Sequence, residues 1–236
     1  PYVRVFTEER DRPALLVVDQ RMSMYFGTVL NMKSVTAAEA AALVAFTVLA
    51  QGDRVGGVVF DDERQVEIAP RRNRRALYEL LANTAEMNLA LNADHAVGSD
   101  TGRLNQVLGS VARMSGHDQL IFVFSDLAGV DATTRQRLAG LAVHNDVILL
   151  LVADPAARVL QLDEALVVGA GDQQAEVDLA DPDVRSATGS FYAERIERIL
   201  RWPQEIDVSV LPLSSGEPTL GQLRALMGSG PRERSR

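Results

Sequence analysis

The chain is patterned as short apolar runs separated by longer amphipathic stretches. Leu15 to Val18, Val55 to Phe60, Leu120 to Phe124 and Val147 to Val152 are nearly unbroken runs of β-branched, leucine or aromatic residues. Runs of this length and composition read as strands buried on both faces, as in parallel sheets. Gln65 to Ala69 alternates instead and follows the turn residues Asp61 to Glu63, so it reads as the second arm of a hairpin with the run from Val55. Tyr2 to Phe6 and Ile206 to Leu211 are further β-prone runs.

Between them lie helical patterns. Thr36 and Glu39 have capping-box spacing ahead of Ala37 to Ala50, which is apolar nearly all round and so predicts a deeply packed helix. Ala76, Leu77, Leu80 and Leu81 share one helical face, as do Leu104, Val107, Leu108 and Val111. Further helices are expected over 131–142, Asp183 to Trp202 and Thr219 to Met227, with a hairpin from Ala165 to Leu179. Strands alternating with helices predict an α/β fold, a doubly wound, mostly parallel sheet with helices on both faces. No repeat or Pro-rich linker divides the chain, so one domain over 1–227 is expected, with 228–236 a disordered tail.

Composition narrows the chemistry. Lys and Arg number 24 against 32 Asp and Glu, a net charge of -8 that argues against a general nucleic-acid binder. The absence of cysteine excludes thiol catalysis, disulfides and Cys-ligated zinc, and His95, His117 and His144 make no metal-binding pattern. Pro1 to Arg12 is charged and Ala37 to Ala50 is shorter than the about 20 residues that span a bilayer, so a cytoplasmic piece without membrane insertion is expected. The chain starts without Met and runs straight into Tyr2 to Phe6, as a fragment of a longer protein would.

Three apolar runs end in acids, at Asp19, Asp126 and Asp154. The carboxyl edge of an open parallel sheet is where ligands bind. If the strands ending at Asp19 and Asp126 are neighbours, then Asp19, Ser23, Thr101 and Asp126 converge there. Few carboxylates with neutral hydroxyls suit a hard cation such as Mg2+. Other candidates are weaker: the glycines 169 and 171 half-match a dinucleotide loop but fit a hairpin turn better. Arg71 to Arg75 could grip phosphate but fits a solvated helix face better, a partner's acidic patch being a third option. Asp94, His95 and Ser99 lie too close in one loop for a triad.

The segment from Asp19 to Gly27, with Asp19, Ser23 and Met24, resembles the D-x-S-x-S metal-ion-dependent adhesion motif of von Willebrand factor A (vWA) domains. VRVFTEERDRPALLVVDQ, KSVTAAEAAAL from Lys33, QGDRVGGVVF from Gln51 and IFVFSD ending at Asp126 narrow the resemblance to the bacterial DUF58 proteins. It implies a vWA-like, Rossmann-type fold and a protein-binding module working with a MoxR-type AAA+ ATPase. By the same resemblance, Asp19, Ser23, Thr101 and Asp126 are the metal positions, with Gly102 an alternative to Thr101, and Mg2+ or Mn2+ the expected ion. Arg21 and Met24 are the expected partner contacts. Arg21, however, stands where the motif has its first serine. Either it points outward from a weakened metal site, or its charge replaces the metal. The alternative function is a Mg2+-dependent phosphate-ester hydrolase using Asp19 at the same edge, although a haloacid-dehalogenase-type phosphatase wants a second Asp where Arg21 stands.

Overall fold

The computed structural model describes residues 12–92, 102–155, 166–170, 173–177 and 194–227. In chain order the elements are β1 (Ala14–Asp19), a 3-10 turn (Met22–Met24), α1 (Lys33–Ala50), β2 (Val55–Phe60), β3 (Gln65–Arg71), α2 (Arg74–Ala90) and α3 (Arg103–Met114). They continue with β4 (Leu120–Ser125), α4 (Ala132–Ala142), β5 (Asp146–Ala153), β6 (Leu166–Ala170), β7 (Gln173–Val177), α5 (described over 194–200), α6 (Trp202–Glu205), β8 (Ser209–Ser214) and α7 (Thr219–Met227).

One sheet runs β3-β2-β1-β4-β5-β8. All its neighbours are parallel except β2 and β3, which form the expected antiparallel hairpin. The order leaves β1 toward β2 on one side and toward β4 on the other, so the switch point of the winding lies at the ends of β1 and β4. Successive side chains of a strand point to opposite faces, and β1 divides accordingly. Ala14, Leu16 and Val18 pack with the buried sides of α1 and α2 and with Leu223 of α7. Leu15 and Val17 pack with Leu104, Val107, Leu108 and Val111 of α3, Leu138 of α4 and Trp202. The α/β doubly wound architecture is therefore as the sequence pattern predicts.

Gly57 shows why the hairpin can lie so close to the central strand. A Cβ there would stand 1.9 Å from the Leu16 carbonyl oxygen, so no other residue fits without moving β1. The β2–β3 register shifts between Val55 and Gly57, a bulge that absorbs this tight approach.

Several boundaries differ from the expectation. Thr36 and Glu39 form no capping box: α1 begins a turn earlier, behind Met32. The Lys33 N–H donates to the Phe26 carbonyl and its side chain is drawn into the sheet edge, which starts the helix there. Glu39 instead accepts from the Thr219 hydroxyl at 2.6 Å, tying α1 to α7. Nor is α1 buried all round; Phe46 stays 48% exposed, because only the side toward the sheet and its flanking helices is covered. The helix expected to Trp202 breaks after residue 200 and restarts with Pro203 in its first turn. The last strand is displaced from Ile206–Leu211 to Ser209–Ser214, since Ile206 closes that short helix and Asp207 takes a φ of 56°. β6 pairs antiparallel with β7 as the two arms of the expected hairpin, while Gly171 lies outside the described residues. The strand Tyr2 to Phe6, the loop 93–100, the helix start at Asp183 and the tail 228–236 lie outside the described residues.

Candidate functional site

Parallel pairing of β1 with β4 brings their ends together, so Asp19 and Asp126 meet at the switch point as the strand-end acids suggest. After β1 the chain turns through Met22–Met24, whose amide-bearing first residue is held by Asp62: the Met22 N–H donates to its carboxylate at 2.6 Å. This turn swings Ser23 toward β4, where its hydroxyl donates to Asp126 at 3.3 Å. Met24 is fully buried, and its sulfur accepts the Asp126 N–H at 3.3 Å.

The positive charge at this edge comes from within the chain. Arg21 is 4% exposed and folds back onto Asp19, with Nη2 donating at 2.7 Å and Nε at 3.0 and 3.2 Å to the two carboxylate oxygens. Its backbone N–H donates to the same carboxylate, and Nη1 donates to the Ala128 carbonyl at 3.2 Å. The Ser125 hydroxyl completes the Asp19 shell at 2.6 Å. The guanidinium also lies over the Phe60 ring, 5.7 Å from its centroid. Lys33 reaches in from the start of α1 and places Nζ 2.6 Å from Asp126, with both side chains buried.

These pairings set the protonation of the edge. Burial opposes the Arg21 charge, but Asp19, with help from Asp126 and Asp62, more than offsets it and its pKa is raised. Burial alone would lift the Asp126 carboxyl, yet the cations of Lys33, Arg21 and Arg195 outweigh that and hold it below the usual carboxylate range. Asp62, more open and facing other acids, is raised, with burial the largest cause and its Met22 and Arg21 contacts opposing. The result is a compact, charge-balanced ion network across the switch point.

A divalent cation does not fit these residues. Both Asp19 oxygens are engaged by a guanidinium and a hydroxyl, Asp126 is engaged by an ammonium, and the two added positive charges would repel the ion. Among the described residues no group of three or more His, Asp or Glu side chains is placed to hold a metal. Thr101 lies outside the described residues, and Gly102 precedes α3. Of the expected positions, Asp19, Ser23 and Asp126 are thus brought together, but around internal cations. Burial corrects the expectation that Arg21 and Met24 touch a partner: both lie beneath the surface and shape the site from below. Asp19, on which the hydrolase alternative depends, has both carboxylate oxygens hydrogen-bonded, by Arg21 and Ser125.

Sequence reading missed Lys33, Asp62 and Ser125. The signal for Lys33 was a charged residue at the head of an otherwise apolar helix, a costly place unless its charge is paired. Asp154, the third strand-end acid, ties down the neighbouring loop. It accepts from the Thr28 N–H at 2.9 Å, the Thr28 hydroxyl at 2.6 Å and the Ser215 hydroxyl at 2.7 Å. The Asn31 N–H donates to the Ser215 carbonyl, so the loop is fastened at both ends while Val29 and Leu30 stand 70% and 55% exposed between them.

The class defined so far is an α/β doubly wound domain with a buried ion network at its switch point. The model of the family described as "Protein of unknown function DUF58" matches residues 1–197, and the chain belongs to that family. Uncharacterized proteins of Mycobacterium tuberculosis (Rv1480) and Mycobacterium bovis (Mb1516) are each 26% identical over 155 residues, covering 66% of this chain and 47% of theirs. The chain therefore spans about half the length of the curated relatives it matches. Among solved structures, the conserved hypothetical protein BatB from Bacteroides thetaiotaomicron superposes with a TM-score of 0.53 at 10% identity, covering 92% of this chain and 96% of that one, a likeness of fold alone. A von Willebrand factor type A structure from Catenulispora acidiphila matches at a TM-score of 0.33 and 14% identity over 76% of this chain and 42% of that one, too distant to carry an argument.

Proposed function

We propose that the chain is a metal-independent protein-binding module whose strand-end face docks a MoxR-type AAA+ ATPase. The observation that carries this reading is the double pairing of Asp19 with Arg21 and Asp126 with Lys33. In a metal-dependent adhesion site the ion both organises the loops and offers a vacancy to the partner. Here the internal cations organise the loops and leave no vacancy, so contact falls to the surface above them. The fastened loop carrying Val29 and Leu30 supplies that surface: it is apolar, exposed and anchored, so little ordering entropy is lost on binding. The MoxR-type partner follows from the family resemblance.

The test is capture of the MoxR-type ATPase from the same genome by the wild-type chain, with Mg2+ and with EDTA in the absence of nucleotide. Capture should be equal in both and fall at least tenfold with Val29→Asp plus Leu30→Asp, since two central apolar anchors are lost. Capture abolished by EDTA would overturn the metal-independent reading. Capture untouched by the loop variant would move the interface elsewhere.

A further inference from the structure

Beside the Asp61–Asp62 turn, residues of α3, α4 and the start of β3 line a cavity of about 410 Å³ that includes Arg103, Arg113 and Arg137. Among the described residues none of the three forms an ion pair, although the chain as a whole is acidic. Arg103 is only 8% exposed. Its Nε donates to the Asp61 carbonyl at 2.9 Å and its Nη1 to the Gln106 side chain at 3.3 Å, which fixes the guanidinium plane. Its Nη2 is buried and has no partner. A charged donor left so is costly, and such a group points to a missing acceptor.

The other two guanidiniums both reach over Gly109. Gly109 has no side chain, and the place where its Cβ would stand lies 3.0 Å from Nη1 of Arg137 and 3.7 Å from Nη1 of Arg113. Arg113 is oriented by Ser110, whose buried hydroxyl oxygen accepts from Arg113 at 2.7 Å and from Gln65 at 2.8 Å, leaving its own proton to donate. The acids around it are already engaged: Asp61 by Arg64, Glu67 by Gln65 and Asp131 by Asn105. Asn105 keeps a buried carbonyl oxygen without a donor, so the occupant also brings a hydroxyl or N–H.

We infer that this cavity is a binding site for a phosphomonoester. Three forked guanidiniums and a hydroxyl donor line this one cavity, and a dianion with several acceptor oxygens can satisfy more of them than a single carboxylate can. The cavity is too small and the chain too acidic for a nucleic-acid backbone to be the ligand. The phosphate can belong to a small phosphorylated molecule or to a phosphorylated side chain of a protein.

Calorimetric titration of the chain with inorganic phosphate, then with a phosphoserine peptide, tests the site. Saturable binding is expected, weakened at least tenfold by Arg113→Gln plus Arg137→Gln and less by Arg113→Lys plus Arg137→Lys, which keeps the charge but loses the fork. Both substituted residues are exposed, so circular-dichroism melting without phosphate should match the wild type. Tighter binding of the peptide assigns the phosphate to a protein, and tighter binding of inorganic phosphate assigns it to a small molecule. No saturable heat, undiminished binding by the Gln double variant, full retention by the Lys variant, or equal binding of acetate would each overturn the site.

Discussion

Arg21 and Arg103 are both buried arginines close to the Asp61–Asp62 turn, yet they stand in opposite conditions. Arg21 spends every nitrogen: two on Asp19 and one on the Ala128 carbonyl. Arg103 holds neutral acceptors with two nitrogens and keeps the third without a partner. The first guanidinium closes a site by completing it, whereas the second keeps one open by remaining incomplete. Burial alone does not say whether a charge is structural or functional. The inventory of its donors does, because an unmatched buried donor persists only if something else can match it.

The sharpest way to break this contrast is Asp19→Ala, which strands the Arg21 charge in the interior. Removal of one member of a buried pair costs roughly 3–5 kcal/mol, so urea unfolding should show a loss of that order. Asp19→Leu with Arg21→Met should recover much of it if the pair is structural; a double variant as unstable as the single would instead assign Arg21 a role beyond Asp19.

Lys33→Met is the next largest, at roughly 3 kcal/mol for the stranded Asp126 carboxylate at neutral pH, and it carries a pH signature. Asp126 is held below its unfolded value, so the unfolded state binds more protons, and the stability it contributes is present above about pH 4 and lost as the pH falls through the lowered folded value. Lys33→Met lifts the folded value, so the deficit against wild type should shrink as unfolding is followed from pH 7 down to pH 3. A deficit constant with pH would show that the ammonium is not what lowers Asp126. The smallest effect belongs to the open arginines. Arg113→Gln with Arg137→Gln should leave phosphate-free stability within about 0.5 kcal/mol, while raising the midpoint in phosphate less than wild type. A large loss without phosphate would mean that these guanidiniums, like Arg21, are already matched.

Much of the fold is legible in the sequence because parallel strands buried on both faces have to be apolar throughout, and Leu15 to Val18 or Leu120 to Phe124 fit little else. The strand-end acids also mark the switch point correctly. Pairings made over long separations are less legible. Lys33 lies 93 residues from Asp126, and only the packed sheet shows that the charge at the head of α1 answers the charge at the end of β4. The last strand was misplaced because half-exposed edge residues carry a weaker apolar signal than Ile206 and Val208, which are packed from the connecting segment instead. The arginine cavity left no local pattern at all, since β3, α3 and α4 each contribute a part.

Among the described residues, the two outermost strands of the sheet each carry a proline, Pro70 in β3 and Pro212 in β8. Proline cannot donate a ladder hydrogen bond and is tolerated in strands at a sheet border, and β3 adds a bulge and the charges of Glu67 and Arg71. Neither border of the sheet is therefore a good template for another polypeptide in extended form. Association of this chain with other molecules is channelled away from strand addition and onto its loops and helices, and the same two residues guard a strongly apolar sheet against edge-to-edge aggregation.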